Sequence, residues 1–404
     1  MFGLIHASGT AAVMGCLALS IVACGDDGPS GTEPPDPALV AEGKDIFRFD
    51  TYGDETFWTD TLRIHEVIQT AVDPTTALSV GLKVDAEALP PDVVQGIESG
   101  AISLTDPATT VALLKLNAVV GLKGTVETID GRDTLVRVGT TCALCHSTVD
   151  NSFSAGIGAR LDGWQNSELN PGAIIALSPA LSTDLKAVYN SWGPGRYDPR
   201  FNRDGINGPV VIPPAYGLLG VNRIIYTGDG EDIAYWNLYV GVTQMHGHGT
   251  FTDSRIGANV QNPPDMISTK LEALQAYQLS LEAPAPPVGF DPAAAERGRA
   301  VFQGAGGCVT CHAGALLTDA NTRLHEPSEV VSEPEPNGVP SYASRSATKQ
   351  YRTTPLRGLL RHPPYLHNGI AATLDAVVEL YDIRKGLALT AEQKADLVEY
   401  LKSL

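Results

Sequence analysis

Two short stretches carry most of the chemistry available to this chain: Cys142-Ala143-Leu144-Cys145-His146 and Cys308-Val309-Thr310-Cys311-His312. Each sets two thiols on either side of a two-residue spacer and puts an imidazole directly after the second. This is the pattern of c-type haem attachment, in which the thiols add across the porphyrin vinyl groups and the adjacent His meets the iron. Two thioredoxin-type disulfides would use the cysteines but leave the repeated His unexplained. A four-cysteine zinc ribbon keeps its pairs close together, whereas well over a hundred residues separate these two. The chain has six Cys; Cys16 and Cys24 lie in the N-terminal leader, and the other four all belong to the two motifs.

A second ligand decides what each iron does. A strong ligand on both faces makes an electron carrier, and an empty face makes a reactive site. The available donors are few. Met245, His246 and His248 sit in a Met-His-Gly-His-Gly loop, and Asp265 and Met266 follow Asn262-Pro263-Pro264. Beyond the second motif stand His325, His362, His367 and Tyr381.

The elements that must position these groups read as mainly α-helical with long loops. At 404 residues, 43% hydrophobic and 18% charged, the chain has material for two globular domains. An apolar run from Ala11 ends in Ile21-Val22-Ala23-Cys24 and turns polar at Gly25-Asp26-Asp27. That reads as a lipoprotein signal peptide over 1–24 with Cys24 as the acylated residue, although the customary basic start is missing. The expected location is the periplasm, lipid-anchored through Cys24. Residues 25–38 read as a flexible tether. Gly43-Lys44-Asp45-Ile46-Phe47 and Gly298-Arg299-Ala300-Val301-Phe302 repeat one pattern, and each predicts a helix ahead of a haem motif. Asp291-Pro292 caps the second of these helices. In the first copy an insertion separates helix from motif, with a helix after Asp106-Pro107 and a hairpin turning at Asp130-Gly131. Ala283-Pro284-Ala285-Pro286-Pro287 marks a stiff boundary, giving two cytochrome c-like haem domains over 39–283 and 288–404. The last helix opens on the capping-box pattern Thr390-Ala391-Glu392-Gln393. A formal charge of -18 disfavours nucleic acid and anionic membrane surfaces as partners.

Over essentially the whole mature length the chain resembles the di-haem bacterial cytochrome c peroxidase and MauG superfamily. Besides the paired motifs, the resemblance rests on Gly43 to Phe47, Gly163-Trp164-Gln165, Val260 to Met266, Thr354-Pro355-Leu356-Arg357-Gly358, Pro364 to Gly369 and Thr373-Leu374. It implies that the haem of Cys142, Cys145 and His146 is the peroxide-reactive one, with Asp265 where the family usually has a catalytic Glu. Asp162 stands where resting peroxidases often carry a distal His. The haem of Cys308, Cys311 and His312 would transfer electrons; its second ligand maps to Tyr381, the residue type used by MauG-like enzymes, with His367 as the rival. The resemblance further implies an aromatic bridge between haems at Tyr226, a calcium near Asn170, His362 and Pro364, and a homodimer. The implied activity is reduction of hydrogen peroxide with electrons from a small redox protein of cytochrome c or cupredoxin type. The alternatives are a MauG-like oxidase acting on a partner protein and a non-catalytic electron-transfer cytochrome.

Overall fold

The computed structural model describes residues 33–286 and 288–404. The apolar leader, Cys24 and most of the tether therefore lie outside the described residues. Helix α1 (Pro37–Phe49) begins within the segment expected to be tether: the Asp36 carboxylate accepts from the Ala38 N–H, and Pro37 takes the first helical position. A local N-cap followed by proline outweighs the Gly- and Pro-rich composition around it.

Helix α2 (Pro107–Lys115) is capped by Asp106. Strands β1 (Leu122–Ile129) and β2 (Arg132–Thr140) form the hairpin, antiparallel from Leu122 opposite Thr140 to Ile129 opposite Arg132. At its tip Asp130 and Gly131 adopt φ values of 52° and 76°, the paired left-handed geometry of a tight two-residue turn. Strand β2 then delivers the chain to Cys142. Helices α3 (Ile233–Thr243) and α4 (Leu271–Ser280) complete this half. Beyond it run α5 (Pro292–Gln303), α6 (Leu374–Lys385) and α7 (Ala391–Lys402), the last with the capping box that Thr390 and Gln393 predict. Among the described residues the remaining strands are short two-stranded pairs, so the fold is mixed, with helix dominant. No helix among these residues is long and apolar enough to cross a membrane.

One packing arrangement occurs twice. Helix α1 crosses α4, and α5 crosses α7. A Cβ on Gly43 would lie 1.9 Å from the Ala273 carbonyl oxygen, and one on Gly298 would lie 1.9 Å from that of Asp396. Only hydrogen fits at either crossing. One turn on, Phe47 meets Tyr277 edge to face at 5.4 Å, and Phe302 meets Tyr400 at 5.2 Å. In all four helices the aromatic lies four residues after the contact point, on the same face.

The apolar core follows this duplication. One cluster built from Ile46, Phe47, Trp236 and Leu274 covers the first crossing, and another packs the hairpin against Trp58 and Val111. A third, with Phe302, Val378, Leu397 and Leu401, draws only on residues after 300. Ion pairs of the buried Arg345 join the earlier and later parts of the chain. Arg345 reaches Asp198 at 3.0 Å and Asp204 at 2.8 Å, and Asp198 is fully buried.

Candidate haem sites

At the second motif α5 ends at Gly304, and Gly307, at φ 59°, turns the chain into a 3-10 turn over Cys308–Thr310. The His312 N–H donates to the Cys308 carbonyl at 2.9 Å, placing thiols and imidazole on one side of the turn. They face a cavity of about 550 Å3, a volume in the usual range for cofactor sites. Its walls include Phe302, Leu374, Val378 and Leu397, apolar groups suited to a porphyrin face.

The two motif histidines are held alike. His312 Nδ1 lies 3.1 Å from the Leu317 carbonyl oxygen, and His146 Nδ1 lies 3.1 Å from that of Pro213. A carbonyl can only accept, so each ring carries its proton on Nδ1 and presents an unprotonated Nε2, the state an iron ligand requires. Burial pushes both imidazoles down to about 4, which keeps them neutral. Burial likewise pushes the Cys142 and Cys145 thiols up to about 12 and Cys308 up to about 11, an apolar setting that suits an uncharged thioether. The cavity and residues of the second motif thus fit covalently bound haem, and the His146 anchor repeats the same imidazole geometry at the first.

Tyr381 and His367 both line the cavity of the second motif, but they differ in freedom. His367 is 3% exposed, with Nδ1 3.1 Å from Ser332 Oγ and Nε2 paired with Glu335. Both its ring nitrogens are engaged. The Tyr381 phenol has no hydrogen-bond partner among the described residues and lies near Cys308 and Cys311; burial pushes it up to about 12. His325 is also tied, to Asp319 at 3.1 Å and Thr353 at 3.0 Å. His362 and Pro364 are on the cavity wall, whereas the Asn170 side chain accepts from Ala173 N–H as a helix cap.

At the first motif, Asp162 is part of the scaffold: its carboxylate accepts from Ser147 Oγ at 2.7 Å and from the Tyr277 hydroxyl and Arg48 Nε at 2.5 Å. In the Met245 to His248 loop, Met245 is buried in the core and His246 stacks on Phe57 at 3.6 Å, its Nε2 accepting from Arg203 at 3.2 Å. Asp265 is exposed, and its Oδ1 accepts from the Ile267 and Ser268 N–H groups at 2.9 and 3.0 Å. These bonds, the Ser268 side chain first, hold its pKa below the usual carboxylate range. A backbone chain links this loop to the motif: Met266 N–H donates to His248, and His248 N–H donates to Tyr52.

Tyr52 escaped the sequence reading. It is 1% exposed, its backbone has φ 54°, and its hydroxyl has no oxygen or nitrogen partner among the described residues; its polar neighbour is the Cys142 thiol. No short motif flags such a residue. Tyr226 lines the second cavity, with its ring 6.2 Å from that of His367. Between it and the first motif stands Tyr197, which packs both with the cluster around Cys145 and with the one around Tyr226 and Tyr342.

Paired C-x-x-C-H motifs with anchored proximal histidines define a c-type cytochrome class. No family model matches the chain. Among curated proteins it is 30% identical over 181 residues to the cytochrome-c peroxidase IdrP1 of Denitromonas iodatirespirans, covering 33% of this chain and 48% of that protein. It is 31% identical over 140 residues to IdrP2 of the same organism, covering 26% and 38%, and 28% identical over 181 residues to IdrP1 of Pseudomonas sp. strain SCT. The chain spans about half the length or less of these relatives. Over those stretches the chain is similar to cytochrome-c peroxidases. Two solved structures overlap it loosely. Hydrazine synthase of Kuenenia stuttgartiensis gives a TM-score of 0.33 at 21% identity over 49% of this chain and 73% of that one. A MauG-like protein associated with microbial copper homeostasis gives 0.27 at 24% over 35% and 54%.

Proposed function

We propose that the protein is a periplasmic, lipid-anchored di-haem cytochrome that reduces hydrogen peroxide with electrons from a small redox protein. The observation that carries this reading is the doubled histidine geometry, with each Nδ1 fixed 3.1 Å from a carbonyl so that Nε2 is free. Two haems on domains 39–283 and 288–404 would supply irons that bind peroxide and store electrons. His146 and His312 orient them. Asp265, ionised at neutral pH, accepts the proton that peroxide gives up on binding and returns it to the leaving oxygen. Tyr226 bridges the two sites. The peroxidase names of the relatives agree with this activity.

A second reading, a MauG-like oxidase of a partner protein, is favoured by Tyr381. If haem is held there, Tyr381 bound to its iron as phenolate would lower the potential and suit oxidising chemistry better than simple relay. The test common to both readings is an EPR spectrum of the ferric protein before and after peroxide. One high-spin haem that changes on peroxide addition is expected. Two low-spin haems indifferent to peroxide would leave only an electron carrier. Peroxide consumption that requires a reduced donor protein favours the peroxidase over the oxidase.

A further inference from the structure

Five tyrosines line the cavity of the second motif: Tyr216, Tyr226, Tyr351, Tyr365 and Tyr381. Their hydroxyls differ in what they meet. Tyr216 donates to the Gly358 carbonyl at 3.1 Å and Tyr365 to the Leu359 carbonyl at 2.9 Å. Tyr226 and Tyr381 have no carboxylate partner among the described residues. Tyr351 alone of the five donates to a carboxylate, Glu333 Oε1, at 2.5 Å.

The difference matters for electron loss. A phenol that is oxidised without losing its proton becomes a strongly acidic cation, which an apolar wall cannot stabilise. A carbonyl oxygen cannot take that proton, and a carboxylate can. Tyr351 is also rigidly held. Its backbone exchanges two hydrogen bonds with His325, at 2.7 and 2.8 Å, and its ring stacks on His367 with centres 4.8 Å apart at 29°. Little has to move for the proton to cross.

We infer that Tyr351 is a redox-active residue of the second site, giving an electron to haem iron while Glu333 takes its proton, so that an oxidising equivalent from peroxide is held as a neutral tyrosyl radical. The inference rests on the functional reading above, because the oxidant is hydrogen peroxide acting through haem. Each peroxide takes up two electrons and two protons and leaves as two waters. Tyr351 supplies one of those electrons, and the iron that accepts it is reduced by one unit; the donor protein of the proposed function supplies the other electron, and solvent the two protons. The phenolic O–H bond breaks, and its proton passes to Glu333 Oε1, giving a carboxylic acid. No other bond forms.

The test uses the haem-loaded protein, frozen after one equivalent of hydrogen peroxide and examined by EPR. A radical signal is expected that narrows when the protein is made with ring-deuterated tyrosine. Tyr351→Phe keeps the ring stack and should abolish the signal with haem content and ferric optical spectrum unchanged. Glu333→Gln keeps the shape and removes the base, and should slow radical formation by on the order of 10²-fold. A signal that persists in Tyr351→Phe, or that disappears instead in Tyr226→Phe, overturns the assignment. If peroxide leaves the haem spectrum itself unchanged, the functional reading falls and this inference with it. A changed haem spectrum with an undiminished radical in Tyr351→Phe removes the inference alone.

Discussion

At the scale of single residues, hydrogen bonds sort donors that the sequence leaves equivalent. His367 and Tyr381 both follow the second motif, but His367 has its two nitrogens bonded to Ser332 and Glu335, so of the two Tyr381 is the one with an uncommitted donor atom, and we propose it as the ligand. Tyr381→Phe should therefore shift the optical and EPR spectrum of the second haem and raise its midpoint potential, because a phenolate stabilises ferric iron. Titration of a protein with unchanged spectrum and potential would return His367 to contention. For Asp265 the sign of the pH effect follows from its hydrogen-bond donors, the Ser268 side chain first and then the Ser268 and Ile267 N–H groups, which push its pKa down. The carboxylate is the competent base above that pKa, so peroxide turnover should hold as pH falls through neutrality and decline only below about 4, the ordinary Asp value. Asp265→Asn should lower turnover by on the order of 10²-fold at neutral pH with haem content intact; stopped-flow peroxide reduction measures both. The two motifs were plain in the sequence because spacing alone encodes attachment. The Nδ1 acceptors were not, since Pro213 lies in a distant loop and a carbonyl carries no residue type to read.

At the scale of elements, the sequence showed a helix carrying each Gly-x-x-x-Phe, but only half of the unit those residues build. Gly43 and Gly298 are where a second helix crosses, and the partners Ala273 with Tyr277 and Asp396 with Tyr400 share a spacing but no residue pattern that would pair them in advance. In an open helix Gly298→Ala would stabilise by about 1 kcal/mol through helix propensity. Here the added methyl meets a carbonyl oxygen at 1.9 Å, a clash of backbone against backbone that cannot be relieved by a rotamer. Overpacking of this kind costs about 1–3 kcal/mol or more, so the substitution should lower stability in a denaturant titration. A neutral or stabilising result would mean the helices can slide apart without loss. The hairpin was legible to the residue at its turn because Asp-Gly specifies the two left-handed conformations it needs, and the start of α1 was missed because tether composition masked the Asp36-Pro37 cap.

At the scale of the whole molecule, the proline-rich stretch at 283–287 suggested a boundary, but the join between the earlier and later parts of the chain depends on charges far apart in sequence. Arg345 is buried against Asp198 from 147 positions upstream; no local pattern announces such a pair. Removing one partner of a buried ion pair leaves the other uncompensated, at a cost of about 3–5 kcal/mol. Asp198→Asn should approach the lower end, because Asp204 still reaches Arg345 at 2.8 Å, and differential scanning calorimetry should register the loss. The histidine anchors have a further consequence, for the order in which the molecule can be built. The carbonyl that orients His312 comes from Leu317, 5 residues on, whereas that for His146 comes from Pro213, 67 residues on. Closing the longer loop carries the larger entropic cost. The imidazole of the second motif, His312, is thus set within its own turn as soon as that turn forms. The first waits for the chain to return, and a nascent polypeptide that ends before Pro213 holds Cys142, Cys145 and His146 with nothing yet fixing which face of the imidazole the iron will meet.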